Sequence, residues 1–281
     1  MNFITTIKGK LGKGIIAFIL LAFSFVFLYP MYWMITLSFK DQIQASSDPY
    51  GLPNSIHLEN YTAAWNKIDI PQVMLNSIIY TMGACILCLA LSVMVAYALT
   101  RMQMKHANAF RMYFTIGMII PIAVLMIPLY RLIIGLGMKN TFWALILPYA
   151  AFNMSSSILM ICAFFRNVPV ELEEAAAIDG CSVYRVFLKI MVPLVKPVIV
   201  TQMVMVYIFV WNEFSLASVI AMNEQMRTVT VALYAFFSAF DVTHWGMIGA
   251  AVTMTTLPII LIYTFGCKQI EEAISFSGGL K

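Results

Sequence analysis

Val73 to Thr100 reads VMLNSIIYTMGACILCLALSVMVAYALT, a run without a charged side chain. A helix needs about 20 apolar residues to cross the hydrocarbon core of a bilayer, whereas a transmembrane strand needs about ten, alternating in polarity. This run is too long and too evenly apolar for a strand, so it is expected to cross a membrane as a helix. Five further runs share its character: Ile15 to Phe39, Tyr113 to Tyr130, Phe142 to Phe165, Val198 to Ile220 and Met247 to Phe265. The whole composition agrees. With 62% hydrophobic against 11% charged residues and a mean hydropathy of +0.87, there is too little polar surface to cover a water-soluble globule. The expected fold is all-α and integral to a membrane, with six transmembrane helices.

Lys and Arg set the orientation. If the N-terminus is cytoplasmic, the inner side holds Lys8, Lys10, Lys13, Arg101, Lys105, Arg111, Arg166, Arg185, Lys189, Lys196, Lys268 and Lys281. The outer side then holds only Lys40, Lys67, Arg131, Lys139 and Arg227. That asymmetry satisfies the positive-inside rule and puts both termini in the cytoplasm. The net charge of +4 is the ordinary condition of basic loops beside anionic lipid and calls for no nucleic-acid partner. The first apolar run follows a basic start, but it exceeds a secretory h-region and ends at the interfacial pair Tyr32-Trp33, so it is expected to be retained. Cys85, Cys88, Cys162, Cys181 and Cys267 all fall within spans or on the inner side, which implies no disulfide framework. Cys85 and Cys88 spell CxxC, but in the middle of an apolar helix they are read as packing residues.

Outside the bilayer, Lys40 to Gln72 carries Asp48-Pro49, Gly51, Pro53-Asn54 and Pro71 around the amphipathic stretch Leu58 to Trp65, which predicts turns leading into a short interfacial helix. Val229 to Phe240 is apolar and aromatic but too short to span. Within the spans, Pro121, Pro128, Pro148 and Pro258 are expected to kink their helices. Asn76, Asn153, Ser156, Gln202 and Asn212 are polar groups in predicted spans that either face a pathway or hold helices together. Glu213, towards the outer end of the fifth span, is expected to serve as a gate or a helix-end anchor.

Catalysis has no visible machinery. His57, His106 and His244 lie far apart, and no HExxH, GxSxG, paired-carboxylate cluster or phosphate-cradling glycine loop is present. Catalytic, metal and cofactor sites are therefore expected to be absent, and the chain is not expected to hydrolyse nucleotide itself.

The most charged segment is Arg166 to Lys196. Pro169 suits a first helical turn, and Glu171, Glu173 and Glu174 follow where the helix dipole favours negative charge. Ala175, Ala176 and Ala177 offer small side chains for close packing by a partner, and Gly180 ends the helix and turns the chain. Ser182 is expected to cap a second helix with Val183, Val186, Phe187 and Ile190 on one stripe, stopping near Pro193. A solvated hairpin with its acids outward is the plainer alternative.

Glu174-Ala175-Ala176, Gly180, Ile190 and Pro193 stand at the spacing of the EAA loop, and this segment resembles that of permease subunits of binding-protein-dependent ABC importers. Val192 replaces the leucine usual before the proline. The resemblance extends through Tyr29-Pro30, Trp33-Met34, Ser38-Phe39-Lys40, Asn60-Tyr61, Asn76-Ser77, Ala96-Tyr97-Ala98-Leu99 with Arg101, Ile127-Pro128-Leu129-Tyr130, Asn140-Thr141 and Trp211-Asn212-Glu213-Phe214. In these it is similar to the shorter, six-helix member of the maltose-type carbohydrate-uptake pair. The resemblance implies a single permease domain over residues 1–281 with its core at about 73–267. It implies that Glu174, Ala175, Ala176, Asp179, Gly180, Ile190 and Pro193 couple the membrane helices to an ATPase dimer, which would carry the ATP and Mg. A second permease, an external sugar-binding protein and a prokaryotic inner membrane are also implied, with Asn76, Asn153, Ser156, Gln202, Asn212 and Glu213 along the solute path. The C-terminal Phe276 to Lys281 matches the family's ATPase-contacting tail only loosely. The competing readings are an ion-coupled carrier acting alone and an importer for a solute other than sugar.

Overall fold

The computed structural model describes residues 10–221, 223–238 and 244–278, with side chains described for 12–221, 223–237 and 244–264. Lys8, the side chains of Cys267 and Lys268, and the tail residues Gly279 to Lys281 thus lie outside the described residues, as do the side chains of Phe276 and Ser277. The helices are α1 (Lys10–Ser38), α2 (Gln42–Ser47), α3 (Glu59–Ile68), α4 (Ile70–Arg101), α5 (Ala107–Gly117), α6 (Ile122–Gly135), α7 (Trp143–Asn167), α8 (Glu171–Ile178), α9 (Val183–Val186), α10 (Val192–Leu194), α11 (Lys196–Asn212), α12 (Ser215–Ile220), α13 (Val229–Ser238) and α14 (Trp245–Gly278). A π-helical turn, Phe187–Met191, joins α9 to α10, and a 3-10 turn, Glu224–Met226, precedes α13. Among the described residues, four helices are long and apolar enough to cross a membrane, and two bent pairs, α5 with α6 and α9–α10 with α11, bring the total to six if each pair is one span.

The chain groups into two compact units, residues 1–70 with 236–256 and residues 71–235 with 257–281. In the first, α1 presents a predominantly apolar exterior: Phe18, Leu21, Phe25 and Phe27 are each about 70% exposed, which suits a lipid-facing or subunit-facing surface. Its end is held by polar contacts. Asn60 of α3 donates from Nδ2 to the carbonyls of Ser38 and Lys40, both at 2.9 Å, and Ser38 Oγ pairs with the Tyr61 hydroxyl at 2.7 Å. Lys40 is fully buried and donates to the Asp48 carbonyl at 2.6 Å. The short α2, unforeseen in the sequence, is capped by Asp41, which accepts from the Gln44 N–H at 2.6 Å.

The start of α14 lies directly on this end of α1. A Cβ on Gly249 would sit 2.9 Å from the Met34 carbonyl and 2.9 Å from the Ser38 nitrogen, and one on Gly246 would sit 2.5 Å from the Lys40 carbonyl. Only glycine admits such backbone approach.

In the second unit, the prolines act unequally. Helix is continuous through Pro128 and Pro148, and likewise through Pro258 of α14. At Pro121 the chain breaks outright: Met118 to Pro121 leave the helix and α5 meets α6 at 100°. Pro121 lacks the N–H for an intrahelical bond and drives Ile120 away from helical geometry. The third span predicted from the sequence is therefore a bent pair. The fifth predicted span also ends early, since α11 stops at Asn212 and Glu213 is extended. One end of this unit is a core of Val93, Tyr97, Ile161, Phe165, Met191 and Val198, into which Ala176 and Val186 of the charged loop are also packed.

Gly249→Leu should destabilise the full chain by about 2 kcal/mol or more, as overpacking does. Gly14→Ala, with nothing within 4 Å of its added Cβ, should be neutral or slightly stabilising. Thermal unfolding of the detergent-solubilised protein checks both, and equal midpoints for the two variants would refute the close approach.

Candidate functional site

The charged loop forms helix, glycine turn, helix. Glu171, Glu173 and Glu174 occupy the first turn of α8, where the unpaired N–H groups favour negative charge. Its C-terminus is a Schellman closure: Cys181 N–H donates to the Ala176 carbonyl and Gly180 N–H to that of Ala177, both at 3.0 Å. Gly180 adopts φ +78°, the left-handed conformation that this closure requires. Ser182 is extended at the start of α9, but its side chain makes no capping bond, contrary to expectation. The second helix widens at the π turn, where Val192 N–H reaches the Phe187 carbonyl. Pro193, lacking an N–H, cannot continue a regular ladder there. After Leu194 the chain bends 71° into α11.

The two faces of α8 have different fates. Glu173 and Ala176 turn inward. The Glu173 carboxylate lies 3.1 Å from Arg101 Nε in an ion pair whose side chains are only 17% and 8% exposed, and it accepts from the Tyr97 hydroxyl at 2.9 Å. The Nε contact is an ion pair without the alignment of a hydrogen bond, and neither Arg101 Nε nor Glu173 Oε1 has a hydrogen-bond partner. At its far end, the same guanidinium donates from Nη2 to the carbonyls of Phe165 and Val168, at the C-terminus of α7. Tyr97 also packs against Phe165 and Phe187, with ring centroids 5.8 Å and 5.0 Å apart.

Glu174, Ala175, Ala177, Asp179 and Gly180 point outward. With them stand large apolar side chains that have no cover: Ile178 at 86% exposure, Tyr184 at 82%, Leu188 at 62% and Val183 at 53%. Ile190 is half-buried against the inner core, and Pro193 is exposed. Ala176, expected on the partner-facing surface, is instead 6% exposed within the core, because residues one apart on a helix face different sides. The exposed face also carries Glu171, Glu174, Asp179, Arg185 and Lys189, so charged and large apolar side chains share it. The residues that sequence reasoning passed over are Tyr97, Arg101 and Glu173 as a group. Their types stood in view, but their meeting depends on contacts across α4, α7 and α8.

The polar residues of the spans do not converge on one cavity. Asn76, fully buried, donates to the carbonyls of Gln225 and Arg227 at 2.8 and 3.1 Å. Ser77 accepts from the Val229 N–H at 2.8 Å, so the outer part of α4 clasps the segment before α13. Asn153 and Asn212 donate to carbonyls four residues back, both at 2.8 Å, and Ser156 donates to the Asn153 carbonyl at 3.1 Å. Gln202 accepts from Ser157 at 3.2 Å. The CxxC thiols face different neighbours, Cys85 the Met203 carbonyl and Cys88 the Ser157 hydroxyl. Glu213 is buried and anchors the start of α12: its carboxylate accepts from the N–H groups of Leu216 and Ala217 at 2.8 and 3.1 Å and from the Tyr149 hydroxyl at 2.7 Å. A cleft of about 600 Å³ in the elbow of α5 and α6 is walled by Phe114, Leu125, Pro128 and Phe152, with Ser155 as a polar group and neither Asn153 nor Ser156 in its lining.

The family model described as binding-protein-dependent transport system inner membrane component matches residues 89–275, from within α4 to within α14 and including the whole charged loop. The chain belongs to this family and is thus a multi-pass membrane component of such a transport system. Among named relatives, it is 34% identical to the probable ABC transporter permease protein YurM of Bacillus subtilis, over 98% of this chain and 90% of that protein. It is 30% identical to the diacetylchitobiose uptake system permease protein NgcG of Streptomyces coelicolor, over 92% of this chain and 85% of that one. In fold it is similar to a chain of a bacterial ABC transporter involved in import of the acidic polysaccharide alginate, with a TM-score of 0.80 and 24% identity over 91% of this chain and 95% of the other.

Glu213→Ala removes the acceptor for three buried donors, so a stability loss of about 2 kcal/mol is expected, against about 1 kcal/mol for Tyr149→Phe. The double variant should lose less than the sum of the two. Additive losses in detergent unfolding would show that the two side chains do not interact.

Proposed function

We propose that this chain is one of two permease subunits of an ATP-driven importer for a sugar or oligosaccharide, and that the outer face of α8 and α9 is the seat of an ATPase subunit. The observation that carries this reading is the uncovered patch of Ile178, Tyr184, Leu188 and Val183 beside Glu174, on a loop whose opposite face is buried in the core. Patches of large apolar side chains with a flanking charge are the anatomy of a protein interface, not of a solvated loop. Helix-in-groove docking fits Ala175 and Ala177, small enough to admit a close partner surface, and Glu174 is free to pair with a basic residue there.

In this reading the ATPase dimer binds ATP and Mg, both termini of the chain are cytoplasmic, and an external binding protein delivers the solute. Nucleotide-driven closure biases an exchange between inward-facing and outward-facing states. Sugar is supported by the resemblance of the chain to maltose-type permeases and by the diacetylchitobiose named for NgcG. Of the six polar residues expected along the path, exposed Asn212 and half-buried Ser156 are accessible enough to contribute to this subunit's side of it, completed by the second permease, whereas Asn76, Asn153, Gln202 and Glu213 are buried in contacts of their own.

Co-purification tests the docking surface. Ile178→Asp and Tyr184→Asp, and to a lesser degree Glu174→Lys, should weaken retention of the ATPase subunit at least tenfold, the effect of losing about 1.4 kcal/mol or more. Undiminished retention in all three would remove the assignment. Liposomes carrying this chain alone should show no uptake driven by a proton or sodium gradient, with or without Glu213→Gln; gradient-driven uptake would favour an ion-coupled carrier. The cognate external protein, titrated with diacetylchitobiose and other oligosaccharides, identifies the solute class, and binding only of non-sugars would overturn it.

A further inference from the structure

We propose that Arg101 is a positioning residue that makes the docking helix α8 a rigid extension of α4 and α7, so that displacement of the docking surface passes into the membrane helices instead of being absorbed in the loop. This rests on the reading of α8 and α9 as the seat of an ATPase. The geometry that points to it is the convergence of three elements on one guanidinium. Arg101 is the last residue of α4. Its Nη2 takes the carbonyls of Phe165 in the last turn of α7 and of Val168, its C-cap. Its Nε faces Glu173 of α8 at 3.1 Å.

Glu173 receives a second tie from the same helix. Tyr97 lies four residues before Arg101, on the same side of α4, and donates to the other carboxylate oxygen at 2.9 Å. Two contacts from one helix fix the orientation of α8 as well as its place. Glu173 and Glu174 are neighbours with divided tasks, one holding the helix from within and the other available from without. The planar fork of arginine, with five donors in fixed directions, suits this double engagement, and a lysine ammonium does not reproduce it.

The test uses the full chain assembled with its ATPase and second permease in lipid nanodiscs. Spin labels go on Glu171→Cys, in the first turn of α8 and outside the docking patch, and Met102→Cys, both exposed, with Cys181 and Cys267 replaced by serine. Pulsed dipolar spectroscopy should give one narrow distance that stays unchanged when ATP and vanadate are added. In Arg101→Gln the distribution should broaden or shift with nucleotide, while the ATPase still co-elutes. Arg101→Lys should fall between the two. The double variant Arg101→Gln with Glu173→Gln leaves no unpaired buried charge and should loosen as the single variant does. A narrow, unshifted distance in Arg101→Gln or in the double variant overturns the proposal, as does loss of the ATPase to the extent seen in Ile178→Asp, which would make Arg101 a builder of the surface alone. Retention of the ATPase by Ile178→Asp with Arg101 intact would instead sink the docking reading.

Discussion

The ion pair between Arg101 and Glu173 is the constraint on which the inner half of the larger unit depends. Two charges taken out of water demand full compensation, and removing one partner of such a pair costs about 3–5 kcal/mol. Here compensation is shared among a carboxylate, a tyrosine hydroxyl and two helix-terminal carbonyls. The end of α4, the end of α7 and the start of α8 consequently have one mutual arrangement in which every charge is met. The aromatic contacts of Tyr97 with Phe165 and Phe187 shield that arrangement from water and strengthen it in turn.

A loop held in this way is part of the same packed body as the long helices. Ala176 and Val186 belong to the same core as Val93 and Ile161 of the long helices. The Schellman closure at Gly180 satisfies the last carbonyls of α8 without external help, and the π turn leads α9 on towards α11 without a flexible link. What remains for a partner is the outer face, where exposed Ile178 and Tyr184 have large area to bury.

The polar side chains inside the spans serve mainly to hold the helices and turns of this chain. Asn76 and Ser77 secure the segment before α13, Glu213 starts α12, and Asn153 and Asn212 bond within their own helices. The cleft between α5, α6 and α7 is walled mainly by apolar side chains, a lining poorly suited to a hydroxyl-rich solute.

How much of this was legible in the residues follows the range of the interactions involved. The apolar runs dictated helices because a bilayer demands length and internal hydrogen bonding, and both are properties of a continuous segment. The acids, alanines and Gly180 dictated helix, turn and helix for the same local reason. The helix over Glu59–Ile68 was equally local. Tertiary structure alone decided that Pro121 breaks a helix where Pro128 and Pro148 do not, that Glu173 points in and Glu174 out, that Ala176 is core, and that Gly246 and Gly249 admit the end of α1. The fates of Glu173, Ala176 and the two glycines depend on groups distant in sequence, Arg101 above all, and periodicity carries no information about which remote side chain will be waiting across the gap.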